Sequence, residues 1–434
     1  MNTEKYNVKK STSTEMINVE VPGSKSMTNR ALLLAALSKK RCLLKGVLFS
    51  DDSRAFLDCL QKLGFELSID EAKKQVTICG TGGLIPNKEA SINVRSAGTA
   101  ARFMTVFLAF AGGRYECDAS AQMCKRPMQE IIDVLRKLDV KITCTENEGH
   151  FPFIIENALL GSEGRKEIKR VTIDTAISSQ YASALLMASA LLPGTNEIIL
   201  TGDRTNGSYI NMTIRMMEQF GINIHREGDA CTIEGGFEGL EVYEIEPDIS
   251  AASYFYAAGM MLKRDALVRG VHRPSLQGDM RFVELLEKLG GRLEETKEGL
   301  VLRASNIKEY PGIDISLKDF SDQTMTLAVV AVFATSKTRI SNIGHIRFQE
   351  SDRISAIVTE LNKLGIECTE DKSIDGIVIK PGTPVPCAID TYEDHRMAMA
   401  FSLIGLKLDG IVINNPMCCR KTFENFFEVL DKID

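Results

Sequence analysis

Eleven cysteines are spread along 434 residues without a single Cys-x-x-Cys pair, and no Cys/His cluster has the spacing of a metal site. That excludes the common zinc and redox motifs, and it leaves buried thiols in a reducing compartment as the simplest account. Cys59 and Cys79 fall at apolar positions of periodic segments. The adjacency of Cys418 and Cys419 is poor geometry for a bridge, so these read as packing residues. No apolar stretch approaches the roughly twenty residues that a membrane span needs. The opening MNTEKYNVKKSTSTE has no apolar signal core, so a cytosolic protein without a membrane partner is expected. Positive charge is not in excess either: 52 Lys and Arg stand against 58 Asp and Glu, a net charge of -6. Such a balance argues against nucleic acid as a partner but permits a local basic cleft.

What the chain does have is a long-period repeat. Five segments, LQKLGFELSID, LRKLDVKITCT, MEQFGINIHRE, LEKLGGRLEET and LNKLGIECTED, each end an amphipathic run at a stop residue and then alternate apolar and polar positions. This pattern predicts a helix closed at its C-cap and followed by a β-hairpin. The stops, Gly64, Asp139, Gly221, Gly290 and Gly365, recur about every 75 residues, longer than the units of most solenoids. At this length two or three domains are expected in any case.

Each block also holds an earlier, Ala-rich helix: GSKSMTNRALLLAALS, SAGTAARFMTVFLAFA, ISSQYASALLMASALL, DISAASYFYAAGMML, FSDQTMTLAVVAVFA and EDHRMAMAFSLIGL. These are apolar nearly all round and should be buried, whereas the second helices are amphipathic and belong outside. The unit therefore reads β, buried α, β, amphipathic α, hairpin. The sixth block stops at LDKID before any hairpin, and the N-terminal strands KYNVKK and EMINVEV are the natural substitute. That predicts a discontinuous domain of residues 1–21 and 247–434, an inserted domain of residues 22–246, three repeats in each, and a ligand cleft between them.

Candidate chemistry lies at helix N-termini, where unpaired N–H groups and the helix dipole favour anions. Gly23-Ser24-Lys25-Ser26 with Thr28, Asn29 and Arg30, and Ser96-Ala97-Gly98-Thr99 with Arg102, are two such clusters. Arg126, Arg353, Arg396 and Lys421 also stand at helix starts, where the dipole disfavours a cation, which suggests compensation by a bound anion. Taken singly, each is as well explained by an ordinary cap or a solvated charge.

Taken together, PGSKSMTNRALLLAALS, AGTAARF, KRPM, SSQY, SDQTMT, QESDR, EDHRMAM and RKTF occur in the order found in the 5-enolpyruvylshikimate-3-phosphate synthases, which the whole chain resembles. The resemblance implies an α/β (α+β) fold, the two-domain inverse α/β barrel of enolpyruvyl transferases. It also implies transfer of the enolpyruvyl group of phosphoenolpyruvate to the 5-hydroxyl of shikimate 3-phosphate, by a monomeric enzyme with neither metal nor organic cofactor. By resemblance, Lys25, Gly98, Arg126, Gln180, Arg353, Arg396 and Lys421 hold phosphoenolpyruvate. Lys25, Ser26, Arg30, Ser178, Ser179, Gln180, Asn206, Tyr209, Asp322, His345 and Gln349 hold shikimate 3-phosphate. Asp322 and Glu350, with Lys25 and His395, are the catalytic candidates. Glyphosate is implied as an inhibitor at the phosphoenolpyruvate site.

Four positions depart from the commonest family pattern. Ser96 stands for an Asn, Asn206 for a Ser, His345 for an Asn, and Gln349 for a Lys. The last removes a charge, which could weaken shikimate 3-phosphate binding by roughly 1.5 to 3 kcal/mol unless Asn206 and His345 compensate. The alternatives are a UDP-N-acetylglucosamine enolpyruvyl transferase and a catalytically silent anion-binding relative. The first typically has Lys-Asn where this chain has Lys25-Ser26, and its reactive-Cys loop does not match the surroundings of Cys117 and Cys124.

Overall fold

The computed structural model describes residues 5–433 except 157–159, 162, 163, 166, 167, 169 and 177. The chain forms two compact units, Gly23–Ile245 and a discontinuous unit of Met1–Pro22 with Glu246–Asp434.

In Gly23–Ile245 three four-stranded sheets repeat one pattern: two parallel strands, then two antiparallel ones. In the second sheet Glu89–Asn93 runs parallel to Arg114–Asp118, which pairs antiparallel with Phe153–Glu156 and through it with Lys141–Cys144. The parallel pair is joined by the buried helix Gly98–Ala111, and the amphipathic helix Gln129–Lys137 leads to the hairpin. Val171–Asp174 and Thr195–Thr201 flank the helix Ser179–Ser189 in the same way. The first sheet borrows its leading strand: Val242–Glu244, at the end of the unit, lies parallel to Arg41–Lys45.

The discontinuous unit does the same at its own start. Ile17–Val19 lies parallel to Ala266–Arg269, on either side of the buried helix Ile249–Leu262. Thus the last strand of each segment before the chain changes unit supplies the strand its own unit lacks. Lys5–Asn7 pairs antiparallel with Val412–Asn414 and completes the last sheet, which has three strands. The expected N-terminal hairpin is therefore corrected: KYNVKK and EMINVEV enter different sheets. The segment between them is held by buried Arg264, which donates to Glu15 O at 2.6 Å, Ser11 Oγ at 2.9 Å and Ile433 O at 2.7 Å. Those bonds satisfy the turn's polar groups outside any hairpin.

The stops behave as their chemistry requires. Gly64, Gly221, Gly290 and Gly365 have positive φ between 75° and 105°, and Asp139 takes the same role at 63°. Left-handed backbone after a helix lets the next N–H groups return to its last carbonyls, and glycine meets no Cβ penalty there. The six Ala-rich helices are buried almost throughout; in Lys25–Leu37 every side chain from Met27 onward is enclosed. Truncating a leucine such as Leu33 to Ala there removes roughly 2 to 5 kcal/mol of stability. Among the described residues no helix is long and apolar enough to cross a membrane.

Candidate active site

Four of the six buried helices follow in the chain on the first strands of their own sheets, the exceptions being Lys25–Leu37 and Ile249–Leu262, so polar residues at those strand–helix junctions are held by rigid elements. In Gly23–Ile245, Asn29 Nδ2 donates to Thr99 Oγ1 at 2.5 Å, tying the start of Lys25–Leu37 to that of Gly98–Ala111. Ala97, at the cap of the second helix, offers its N–H groups no side-chain acceptor. Gly98 is packed closely: a Cβ there would lie 3.0 Å from Arg126 Nη1 and 3.4 Å from both Arg102 Nη1 and Gln180 Oε1. Gly98, Arg126 and Gln180 are thus brought together. Among the described residues, the buried Arg126 Nε and Gln180 Oε1 have no hydrogen-bond partner. An uncapped helix start beside a cation with an unused donor is suited to an anion.

Lys25 Nζ lies 3.6 Å from Asp52 Oδ2 and is mostly enclosed, a partner that sequence reasoning did not assign. Ser178 caps Ser179–Ser189, its Oγ accepting from Gln180 N at 3.3 Å. Tyr209 is half-buried and Asn206 exposed on the approach to the helix Ser208–Gln219. Arg30, a shikimate 3-phosphate ligand by resemblance, is tied closely to its own unit. It is enclosed, with Nε donating to Thr213 Oγ1 at 2.7 Å, Nη1 to Ser26 O at 2.9 Å, and Nη2 to Ser183 Oγ at 3.1 Å and Tyr209 O at 3.3 Å. Its partners are all neutral, and burial lowers its pKa to about 10. Arg30 places Ser26 and Tyr209 by joining three helices.

In the discontinuous unit the arrangement is acid-rich and centred on Arg353, which is 1% exposed. Its Nη1 donates to Asp322 Oδ1 at 3.0 Å and closely to Gln349 Oε1; its Nη2 donates to Glu350 Oε2 at 2.9 Å and to Asp394 Oδ1 at 3.3 Å; its Nε donates to Asp394 Oδ2 at 2.7 Å. All five N–H groups of a guanidinium are engaged. Burial opposes the charge, but Asp394, Glu350 and Asp322 outweigh it and raise the pKa. The anion inferred from a cation at a helix start is here the protein's own carboxylates. An incoming substrate anion would have to displace one of them.

Arg396 Nη2 donates to Asp322 Oδ2 at 2.9 Å, and Lys421 Nζ lies 3.4 Å from Glu350 Oε1. Asp322 and Glu350 therefore share one guanidinium, and each has a second cation of its own. Asp394 caps the helix His395–Gly405 through Arg396 N at 2.9 Å. His345 Nε2 pairs with Ser321 Oγ at 2.7 Å, next to Asp322. His395 is enclosed, its Nδ1 3.9 Å from Asp394 Oδ1 and its carbonyl met by Cys419 Sγ at 4.0 Å. It is the first residue of the helix His395–Gly405. Sequence reasoning gives Asp394 no role; its cap position in EDHRM is the available signal.

The family model for EPSP synthase (3-phosphoshikimate 1-carboxyvinyltransferase) matches residues 12–430. A 3-phosphoshikimate 1-carboxyvinyltransferase of Nostoc punctiforme is 38% identical over 411 residues, covering 94% of each chain. One of Sulfurovum sp. is 38% identical over 421 residues, covering 96% of each. A solved EPSP synthase from Acinetobacter baumannii shares the fold, with a TM-score of 0.81 at 23% identity over 99% of this chain and 98% of that one. With the motifs in order and the match running almost end to end, the chain belongs to the EPSP synthase (3-phosphoshikimate 1-carboxyvinyltransferase) family.

Proposed function

We propose that this protein transfers the enolpyruvyl group of phosphoenolpyruvate to the 5-hydroxyl of shikimate 3-phosphate, releasing inorganic phosphate. The observation that carries the reading is the pairing of Asp322 and Glu350 on the single guanidinium of Arg353, with Arg396 and Lys421 alongside. Two carboxylates fixed by cations can take up and return protons while the cations meet a substrate's negative charge.

In this scheme Asp322 accepts the proton of the substrate hydroxyl as its oxygen bonds to C2 of phosphoenolpyruvate, and Glu350 or Lys25 delivers a proton to C3. The tetrahedral intermediate then returns a C3 proton to the group that delivered it as the C2–O bond to phosphate breaks, which restores the C2–C3 double bond and gives the enol ether. Lys421 and Arg396, with one of the Arg353 donors once a carboxylate yields it, hold the leaving phosphate or the carboxylate. In Gly23–Ile245 the resemblance gives Lys25, Gly98, Arg126 and Gln180 to phosphoenolpyruvate, and Ser26, Ser178, Ser179, Asn206 and Tyr209 to shikimate 3-phosphate. Arg30 contributes by placing Ser26 and Tyr209, and His345 by placing the Asp322 turn. No step calls for a cofactor. Bringing two polyanions together opposes their mutual repulsion, and positioned cations offset it.

A phosphate-release assay with phosphoenolpyruvate and either shikimate 3-phosphate or UDP-N-acetylglucosamine tests the proposal. Turnover with shikimate 3-phosphate alone is expected. Turnover with the nucleotide sugar alone, or binding without phosphate release, would overturn it.

A further inference from the structure

Behind the Arg396–Asp322 pair stands a carboxylate that the scheme above leaves unused. Asp279 is 7% exposed and directly precedes the helix Met280–Lys288, yet it makes none of the hydrogen bonds to that helix that a capping Asp makes. Its Oδ2 instead receives a close hydrogen bond from Ser250 Oγ. Ser250 Oγ lies 3.5 Å from Arg396 Nη2, the same nitrogen that donates to Asp322 Oδ2 at 2.9 Å. The four residues form one continuous chain within a single unit. Charged groups facing Asp279 are Asp322, Arg396 and Asp248. Burial, then the negative charge of Asp322, push its carboxyl up to about 6, with Arg396 and the Ser250 hydrogen bond opposing them.

The geometry points to Asp279 as a positioning residue of this site, which acts through Ser250 on Arg396 and sets how much of that guanidinium's charge is free to meet an anionic substrate. The inference rests on the reading that Arg396 holds phosphoenolpyruvate. With Asp279 ionised, two carboxylates flank one guanidinium and the group is net negative. With Asp279 protonated the group is neutral, and an incoming polyanion meets less repulsion. Substrate uptake is therefore linked to uptake of a proton by Asp279, and a neutral side chain there should bind phosphoenolpyruvate more tightly at alkaline pH.

The test compares kcat and KM for phosphoenolpyruvate in the wild type, Asp279→Asn and Ser250→Ala, at saturating shikimate 3-phosphate, from about pH 5.5 to about pH 8.5, a window that brackets the Asp279 titration. The substrate's own phosphate titrates in this range, so the ratio of variant to wild type is read, in which that effect cancels. Asp279→Asn should lower KM roughly three- to tenfold at the alkaline end and by little at the acid end, with kcat within about twofold. A ratio independent of pH overturns the inference. Ser250→Ala keeps Asp279 but removes both its link to Arg396 and a hydrogen bond that favours its ionised form, so the step in KM should shrink and move to higher pH; a step unchanged in size and position overturns the inference even if Asp279→Asn fails to fold. A wild type that releases no phosphate removes the functional reading and this inference with it, whereas wild-type turnover with a flat ratio removes the inference alone.

Discussion

Arg30 and Arg353 are both 1% exposed and both sit near the N-termini of helices, in the second and the first turn respectively, yet they live in opposite electrical surroundings. Arg30 is met by hydroxyls, carbonyls and the rings of Phe103 and Tyr209, all neutral, and burial lowers its pKa to about 10. Arg353 is met by three carboxylates, which raise its pKa against the same burial. The difference separates two tasks. At Arg30 positive charge is held in place by neutral groups and ties helices together. At Arg353 it fixes the acids that handle protons.

The largest effect expected from this contrast is on turnover. Asp322→Asn keeps an oxygen that can accept from Arg353 or Arg396, sets an NH2 against the other, and cannot take a proton, so kcat should fall roughly 10²- to 10⁴-fold in the phosphate-release assay. A fall of less than tenfold would place the base elsewhere.

Stability separates the two arginines next. Arg353→Met leaves Asp322, Glu350 and Asp394 crowded without their shared cation and should remove roughly 3 to 5 kcal/mol in denaturant unfolding at neutral pH. That loss should shrink in acid as the carboxylates protonate. Arg30→Met leaves only neutral partners, and Thr213 Oγ1 already donates to Ser183 Oγ at 2.8 Å, so about 1 to 3 kcal/mol with little pH dependence is expected. Equal losses with equal pH profiles would erase the contrast.

A methyl group at Gly98 is a gentler probe of the anion-binding side. The new Cβ would lie 3.0 Å from Arg126 Nη1, which must give by a few tenths of an ångström. Gly98→Ala should therefore raise KM for phosphoenolpyruvate and the inhibition constant for glyphosate, each by roughly tenfold or more, with kcat less affected. Unchanged constants would move the phosphoenolpyruvate site away from Gly98.

The smallest effect is expected at Gln349. From the sequence alone, its want of a Lys charge reads as a loss of affinity. In the structure Gln349 Oε1 accepts from Arg353 Nη1, and a Lys would set an ammonium against that guanidinium instead. Gln349→Lys should change KM for shikimate 3-phosphate by less than about threefold, the gain in charge being offset by the lost acceptor. A tenfold fall in KM would show that the missing charge matters more.

Patterns local in the chain were legible from the sequence. The stop residues, including Asp139, and the six buried helices follow from turn chemistry and from apolar residues on every face. The motif residues around Gly98 and Arg353 could be named because they sit at helix starts. Partnerships between distant segments were not legible. That Asp322, Glu350 and Asp394 converge on Arg353, or that Asp279 turns from its own helix toward Ser250, depends on how separate blocks pack. No periodicity encodes it. The N-terminal strands show the same limit: both read correctly as strands, but Arg264 and its bonds to Ser11 and Glu15 route them to separate sheets.

The central claim is a division of labour between anion capture and proton transfer. Calorimetric binding of phosphoenolpyruvate in the presence of shikimate 3-phosphate, measured beside phosphate release for Arg126→Ala and Asp322→Asn, tests it most directly. The account predicts that Arg126→Ala loses roughly tenfold or more in binding, while Asp322→Asn binds within a few-fold of the wild type and releases almost no phosphate. Wild-type binding by Arg126→Ala, or wild-type phosphate release by Asp322→Asn, would contradict it.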